Sequence, residues 1–420
     1  MVFLSPTIRS SMSSSLSLVS FLVSFFLPIY CPILLVIPST SAFSLHDALT
    51  SNGIRGSNTI LSSSTATPAT NSNINSNNSN NNKIDLVSMP FSSSPSNTIP
   101  TQTLASGYDM PVVAYGTFRS APGEVYDCVL QALQVGYRHF DCAHVYGNEK
   151  EVGKAFQHAF DTCLVKREDL FVTGKLWNSD HDAEIVPQAC ALSLKNLNLD
   201  YFDLYLIHFP VCWKHTGLET PSWGKSELGD TSLIDTWRAM EDLVNKQKLC
   251  RSIGVSNYPL ILLHDLVTQV KVPVSCNQIE THVYYTRESL VKYCQSRNIC
   301  VTAHTPLGGG KANEEWTQAL SPLEDSLVTK IAERHQCGSG QILLRFLLQR
   351  GIVVLPKSVK KSRMEQNIDL FADSLALTDE EMNTLAALDK YVSYKTNPNP
   401  MSAFIGGPDS FSSGGTDIFD

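Results

Sequence analysis

Eight short apolar runs alternate with stretches of helical periodicity between residues 105 and 371, the joining turns are short, and no Gly-x-Gly-x-x-Gly follows the first run. Those observations predict an α/β chain whose parallel strands close into a (β/α)8 TIM barrel; an open dinucleotide-binding sheet would carry its glycine fingerprint in the first turn. A change of composition near residue 100 places a disordered targeting region in front of the barrel. The chain has 420 residues, 43% of them hydrophobic. One barrel of about 250 residues accounts for that content without a second folded domain.

The elements follow in order. Between Arg9 and Asp47 there is no Lys, Arg, Asp or Glu, and Leu16 to Ile37 is an apolar run broken by Pro28 and Pro32. Residues 1–42 therefore read as a signal peptide, with Thr40 and Ala42 as small residues before Phe43; an uncleaved membrane anchor is the alternative. Residues 43–103 are rich in Ser, Thr and Asn, with NSNINSNNSNNN at 71–82. Such a stretch buries too little apolar surface to fold. The barrel proper is assigned to 104–395 and a tail over its mouth to 396–420. Strands are expected near 111–117, 138–142, 169–175, 202–208, 251–256, 275–279, 299–304 and 352–356, where β-branched and aromatic residues cluster. Helices are expected over 123–135, 149–163, 184–197, 233–247, 260–270, 287–297, a pair within 322–350, and 361–371. The insertion at 211–233, after the fourth strand, is expected to form a lid loop.

Bulk properties exclude several classes. The net charge is −8, and no basic cluster provides a nucleic-acid face. There are 11 Cys, with neither a Cys-x-x-Cys pair nor any Cys/His spacing suited to a metal. Cys31 lies in the leader, and the other ten read as small apolar fillers of a reducing compartment.

Four residues carry the chemistry. Asp141, Tyr146, Lys175 and His208 each fall where a strand gives way to a loop, which is the active-site face of such a barrel. A carbonyl receiving hydride builds negative charge on oxygen, and Tyr146 is the proton donor for it. The expectation is that Lys175, as an adjacent ammonium, lowers the phenol pKa from its ordinary value of about 10. Asp141 holds the ammonium, and His208 orients the substrate oxygen. No metal is called for. Phe118, Trp177 and Phe209 flank these positions and are read as the pocket wall.

YRHFDCAHVYGNE (137–149), VTGKLW (172–177) and LIHFP (206–210) resemble the aldo-keto reductases, as do GTF (116–118), IGVSN (253–257), NQIE (277–280) and LPKS (355–358), in that order. The resemblance covers roughly residues 104–400. It implies contacts of Ser256, Asn257 and Gln278 with a nicotinamide amide. It also implies an NADPH site in which Lys357, Ser358 and Arg363 hold the 2′-phosphate, with Gln366 and Asn367 near the adenine. His304 departs from the family, many of whose members place a Tyr there for the nicotinamide ring to stack on. Leu307 belongs to the same cofactor segment, and Gly308 to Gly310 read as a flexible lip without the Lys-Ser/Thr of a P-loop.

Within the family, HFP followed by KHTG, the stretch 304–316 and KTNPNPMSAF (395–404) resemble plant aldose-6-phosphate reductases. That likeness implies an aldose 6-phosphate as substrate. Lys214, with His215 and either Lys225 or Lys311, is the candidate holder of the phosphate. Xylose or aldose reductases acting on free sugars, a broad aldehyde reductase, and a cofactor-sensing subunit without turnover are the alternatives. STSAF (39–43) resembles the two-part plastid leaders of algae such as diatoms, so a plastid is the expected location, with the secretory pathway as the alternative. A monomer or homodimer is expected, touching membrane only through an uncleaved leader.

Overall fold

The computed structural model describes residues 99–120, 123–219, 227–309 and 321–391. The leader, the low-complexity segment up to residue 98, Lys225, Gly310, Lys311 and the tail 396–420 lie outside the described residues.

A two-stranded antiparallel hairpin comes first, β1 (Thr101–Thr103) and β2 (Asp109–Pro111), with Gln102 paired to Met110. Eight parallel strands follow: β3 (Tyr115–Gly116), β4 (His139–Asp141), β5 (Phe171–Leu176), β6 (Phe202–Ile207), β7 (Cys250–Ser256), β8 (Cys276–Glu280), β9 (Cys300–His304) and β10 (Val353–Val354). They pair in sequence order from β3 to β10. The two edges then meet. Val113 bridges Val354 in parallel, Ala114 N donates to Val354 O over 2.9 Å, and Gly116 N donates to Pro356 O over 3.2 Å. With no edge left unpaired, the sheet is a closed barrel.

The expected strands all form, the first and last in shortened versions. Among the described residues the helices are α1 (Glu124–Val135), α2 (Glu149–Asp161), α3 (Val186–Leu197), α4 (Leu233–Asn245), α5 (Leu260–Val267), α6 (Glu288–Ser296), α7 (Ser326–Arg334), α8 (Ser339–Gln349), α9 (Lys361–Ile368) and α10 (Asp379–Ala386). Most turn an apolar stripe inward, as with Val125, Cys128, Val129, Ala132 and Leu133 of α1. The hairpin and α10 were not foreseen. The hairpin lies at the amino ends of the strands, where the Cys300 thiol donates to Gln102 Oε1 over 3.2 Å and Pro111 O meets His139 Nδ1 at 2.9 Å. Helix α10 opens on a reciprocal cap, Thr378 accepting from the Glu381 amide and Glu381 accepting from the Thr378 amide. That signature stands in the sequence as Thr-Asp-Glu-Glu and marks a helix start.

The cysteines need one correction. Cys163 is exposed and Cys337 is only half-buried, while the other eight outside the leader fill the interior as expected. Cys190 and Cys250 lie as thiols 3.7 Å apart.

Candidate active site

Three of the four predicted residues meet at the carboxyl end of β4 and β5. Asp141 ends β4, and the chain then turns through the 3-10 segment His144–Tyr146 before entering α2. That short turn brings the phenol back over the strand it has just left. Lys175 points into the same space from β5, with its side chain fully buried. Its ammonium donates to Asp141 Oδ2 at 2.6 Å, to the Tyr146 hydroxyl at 3.0 Å and to the Cys142 carbonyl at 3.2 Å. All three donors of the ammonium are thereby used. His208, the first residue after β6, completes the group with its ring edge-on to Tyr146, 5.9 Å between centroids.

Burial and charge oppose each other here. Burial penalises the phenolate, and the Lys175 charge favours it. Burial wins, and the Tyr146 pKa is pushed up to about 12. Lys175 acts in the expected direction, but the net shift is upward rather than downward, because packing against Phe118 and His208 costs the phenolate more hydration than one ammonium restores. Burial has the opposite sign for Lys175 and alone would depress its pKa. The Asp141 carboxylate and the Tyr146 oxygen more than reverse that, so its pKa rises and the ammonium stays charged.

The predicted pocket wall gathers around this cluster. The Phe118 ring lies 4.8 Å from Tyr146, and Trp177 stands edge-on to His208 and Phe209. Trp213 was missed: it is buried against Trp177, 5.6 Å between rings, and its amide donates to Asn178 O. Its place three residues beyond Pro210 was the available signal. Lys214, in the same loop, is exposed and ion-paired with Glu227.

The predicted cofactor residues form two groups. Ser256 ends β7 and donates to Gln278 O over 2.8 Å, and Gln278 Nε2 donates to Asp141 Oδ1 over 2.8 Å, tying this group to the carboxylate of the first. Asn257 adopts a left-handed backbone, φ 60°, and its amide donates to His208 O and Ser256 Oγ. His304 ends β9, with Nε2 3.1 Å from Asn257 Oδ1 and Nδ1 3.0 Å from Thr305 Oγ1. The amide oxygen only accepts, so Nε2 carries a proton. Leu307 follows in the turn before the glycines and packs on the core.

The second group follows β10. Ser358 is buried and accepts from the Lys360 amide, and Lys357 donates to Arg119 O over 2.9 Å. Helix α9 has no side chain capping its amino end. Arg363 and Gln366 on it are exposed, and Asn367 is buried. Lys360 and Lys361 are exposed surface cations. Amides and hydroxyls at one place, with an uncapped helix start and cations at another, are the donor set an anionic dinucleotide requires. The residues present fit NADPH.

A model of the Aldo/keto reductase family matches residues 112–390. The chain is 42% identical over 306 residues to an NADP-dependent D-sorbitol-6-phosphate dehydrogenase of Malus domestica, covering 71% of this chain and 96% of that one. It is 40% identical to a probable NAD(P)H-dependent D-xylose reductase of Arthroderma otae, covering 73% and 97%. Among solved structures, a Bombyx mori aldo-keto reductase in complex with NADP superposes with a TM-score of 0.66 at 37% identity, covering 74% of this chain and 98% of that one. With that match spanning the whole barrel, the chain belongs to the Aldo/keto reductase family.

Proposed function

We propose that this protein reduces the aldehyde of an aldose with NADPH, that an aldose 6-phosphate such as glucose 6-phosphate or mannose 6-phosphate is preferred, and that the alditol phosphate is the product. The observation that carries the reading is the single ammonium of Lys175 touching both the Asp141 carboxylate and the Tyr146 hydroxyl. Bound NADPH, held by the residues after β7, β9 and β10, would supply the hydride for the carbonyl carbon. Tyr146 supplies the proton to the carbonyl oxygen. At neutral pH its phenol is fully protonated, the form a donor needs, and Lys175 stabilises the phenolate as it forms. Asp141 keeps the ammonium aimed. His208 donates a hydrogen bond to the same oxygen and so selects its orientation.

Phosphate preference is supported by the sorbitol-6-phosphate dehydrogenase likeness and by Lys214 and His215 in the loop after β6. One observation favours the second reading, a reductase of free sugars such as xylose: Glu227 already neutralises Lys214. Recruiting that lysine requires the phosphate to displace a carboxylate. A cofactor-sensing subunit would have no use for the proton donor. We also propose a plastid location from the leader, to be tested with a fluorescent fusion of residues 1–100.

Steady-state assays of the full chain with NADPH or NADH, against glucose 6-phosphate, mannose 6-phosphate, xylose and glyceraldehyde, decide among these. The proposal expects the highest kcat/KM for a sugar phosphate with NADPH. It also expects Lys214→Ala to raise KM for the sugar phosphate alone. Equal efficiency with xylose would transfer the reading to free aldoses, and tight NADPH binding without oxidation by any aldehyde would transfer it to the sensor.

A further inference from the structure

The turn that carries Tyr146 carries a second imidazole for which the chemistry above has no use. His144 opens the segment His144–Tyr146 and is partly buried. Its Nδ1 lies 3.1 Å from Glu149 Oε2, in the first turn of α2, and its Nε2 lies 2.8 Å from the carbonyl oxygen of Leu218, in the loop after β6. A carbonyl only accepts, so Nε2 must carry hydrogen. An ionised carboxylate also only accepts, so Nδ1 must carry one too unless Glu149 holds it. Either way, the pair contains one proton more than a neutral imidazole beside a carboxylate.

The loop so held is the one that walls the pocket. Trp213 packs on Trp177, its amide is fixed to Asn178 O, and Trp213 bridges Leu228 across the base of the loop. His215, beyond it, places Nδ1 3.0 Å from Ser179 O and 3.3 Å from the buried Asp180 carboxylate. Leu218, the next contact along the chain, is the one His144 takes.

We propose that His144 is a positioning residue for substrate: protonated, it ties the carbonyl of Leu218 to the start of α2, and this holds the segment 211–219 in the shape that receives the far end of an extended aldose. Resting on the aldose reductase reading, it extends that reading to a residue that touches neither the aldehyde nor Tyr146. The groups facing His144 are Glu149 from α2, Asp180 from the turn after β5 with His215 beyond it, and the Asn196 amide of α3, which donates to Glu149 Oε2 over 3.2 Å. Burial works against the imidazolium, but the Glu149 carboxylate and the Leu218 carbonyl outweigh it, so the His144 pKa is raised above 6.5. As pH rises through the raised pKa the proton is lost, and one donor must choose between two acceptors.

The test is made on the full chain as wild type, His144→Ala and His144→Gln. Steady-state constants are measured with NADPH against glucose 6-phosphate and glyceraldehyde from pH 6 to 9, together with hydrogen exchange of the amides in 211–219. His144→Ala should raise KM for the six-carbon substrate about tenfold, the size of one charge-assisted hydrogen bond. Its kcat, and both constants for glyceraldehyde, should stay within about twofold, and exchange in 211–219 should accelerate. His144→Gln keeps a donor for Leu218 O without a titration. It should restore KM near neutrality and abolish the rise of KM with pH that the wild type shows. Unchanged exchange and KM in His144→Ala would overturn the proposal, as would an equal fall of kcat on both substrates, which marks a support for Tyr146 only. A Gln variant that behaves like Ala removes the donor role. The exchange readout stands without turnover, so it separates failure of this tether from failure of the reductase reading.

Discussion

Tyr146 concentrates the physics of this site in one side chain. Its position was legible, because a Tyr five residues past the Asp that ends an apolar run lands at a barrel mouth. The sign of its pKa shift was not, since it depends on how much water Phe118, His208 and Trp177 exclude, and those arrive from three other loops. Two expectations follow. Tyr146→Phe should lower kcat for any aldehyde by about 10²–10⁴-fold, the usual weight of a positioned general acid, while NADPH affinity and the circular dichroism spectrum stay unchanged; a variant as fast as the parent removes Tyr146 as the donor. With the pKa pushed up to about 12, the phenol stays protonated across neutrality. Reduction of a small aldehyde at saturating NADPH should therefore show a flat kcat/KM from pH 6 to 9. Oxidation of the alcohol, which needs the phenolate, should climb with pH over the same range. A reduction rate that falls from pH 7 would show that a ligand lowers this pKa far more than burial raises it.

At the scale of elements, helix and strand identities followed from periodicity, whereas the hairpin at the floor and α10 escaped it. β1 has three residues, too few for a period to stand out, and α10 carried its signal in the Thr378–Glu381 cap rather than in its periodicity. Packing between elements adds constraints that no periodicity reveals. In α2, a Cβ on Gly153 would lie 2.3 Å from the Asn196 carbonyl oxygen and 2.8 Å from Leu197 Cα at the end of α3. Both neighbours are backbone and cannot swing aside. Gly153→Ala should push the two helices apart and cost about 2 kcal/mol or more, read as a lowered urea midpoint with an unchanged slope. Asn196 also holds Glu149, so the same variant should raise KM for the extended aldose. A variant of parental stability would mean that α2 and α3 pack less closely than this.

The whole molecule stores neutral histidines that its acid stability should report. His139, at the floor between Pro111 O and Thr173 Oγ1, and His181, beneath α4, are each lowered from 6.5 to about 4, mainly by burial. Above pH 6.5 both are neutral in folded and unfolded chains, so stability is complete. As pH falls toward 4 the unfolded chain binds protons that the native state refuses, and about 3 kcal/mol is lost for each group. The urea midpoint should fall steeply between pH 6.5 and 4, and His139→Gln should remove part of that slope; an identical slope in the variant would mean that His139 titrates normally. By itself, the sequence determined the barrel and the membership of the four-residue cluster, because strand-end positions and side-chain chemistry are local properties, and its resemblance to a known family pointed to the residues that suit a nicotinamide cofactor. Only the tertiary structure decided that Gln278 reaches Asp141, that Glu227 occupies Lys214 and that His144 spans α2 and the loop after β6. Each of those joins residues distant along the chain, and no local pattern encodes their proximity.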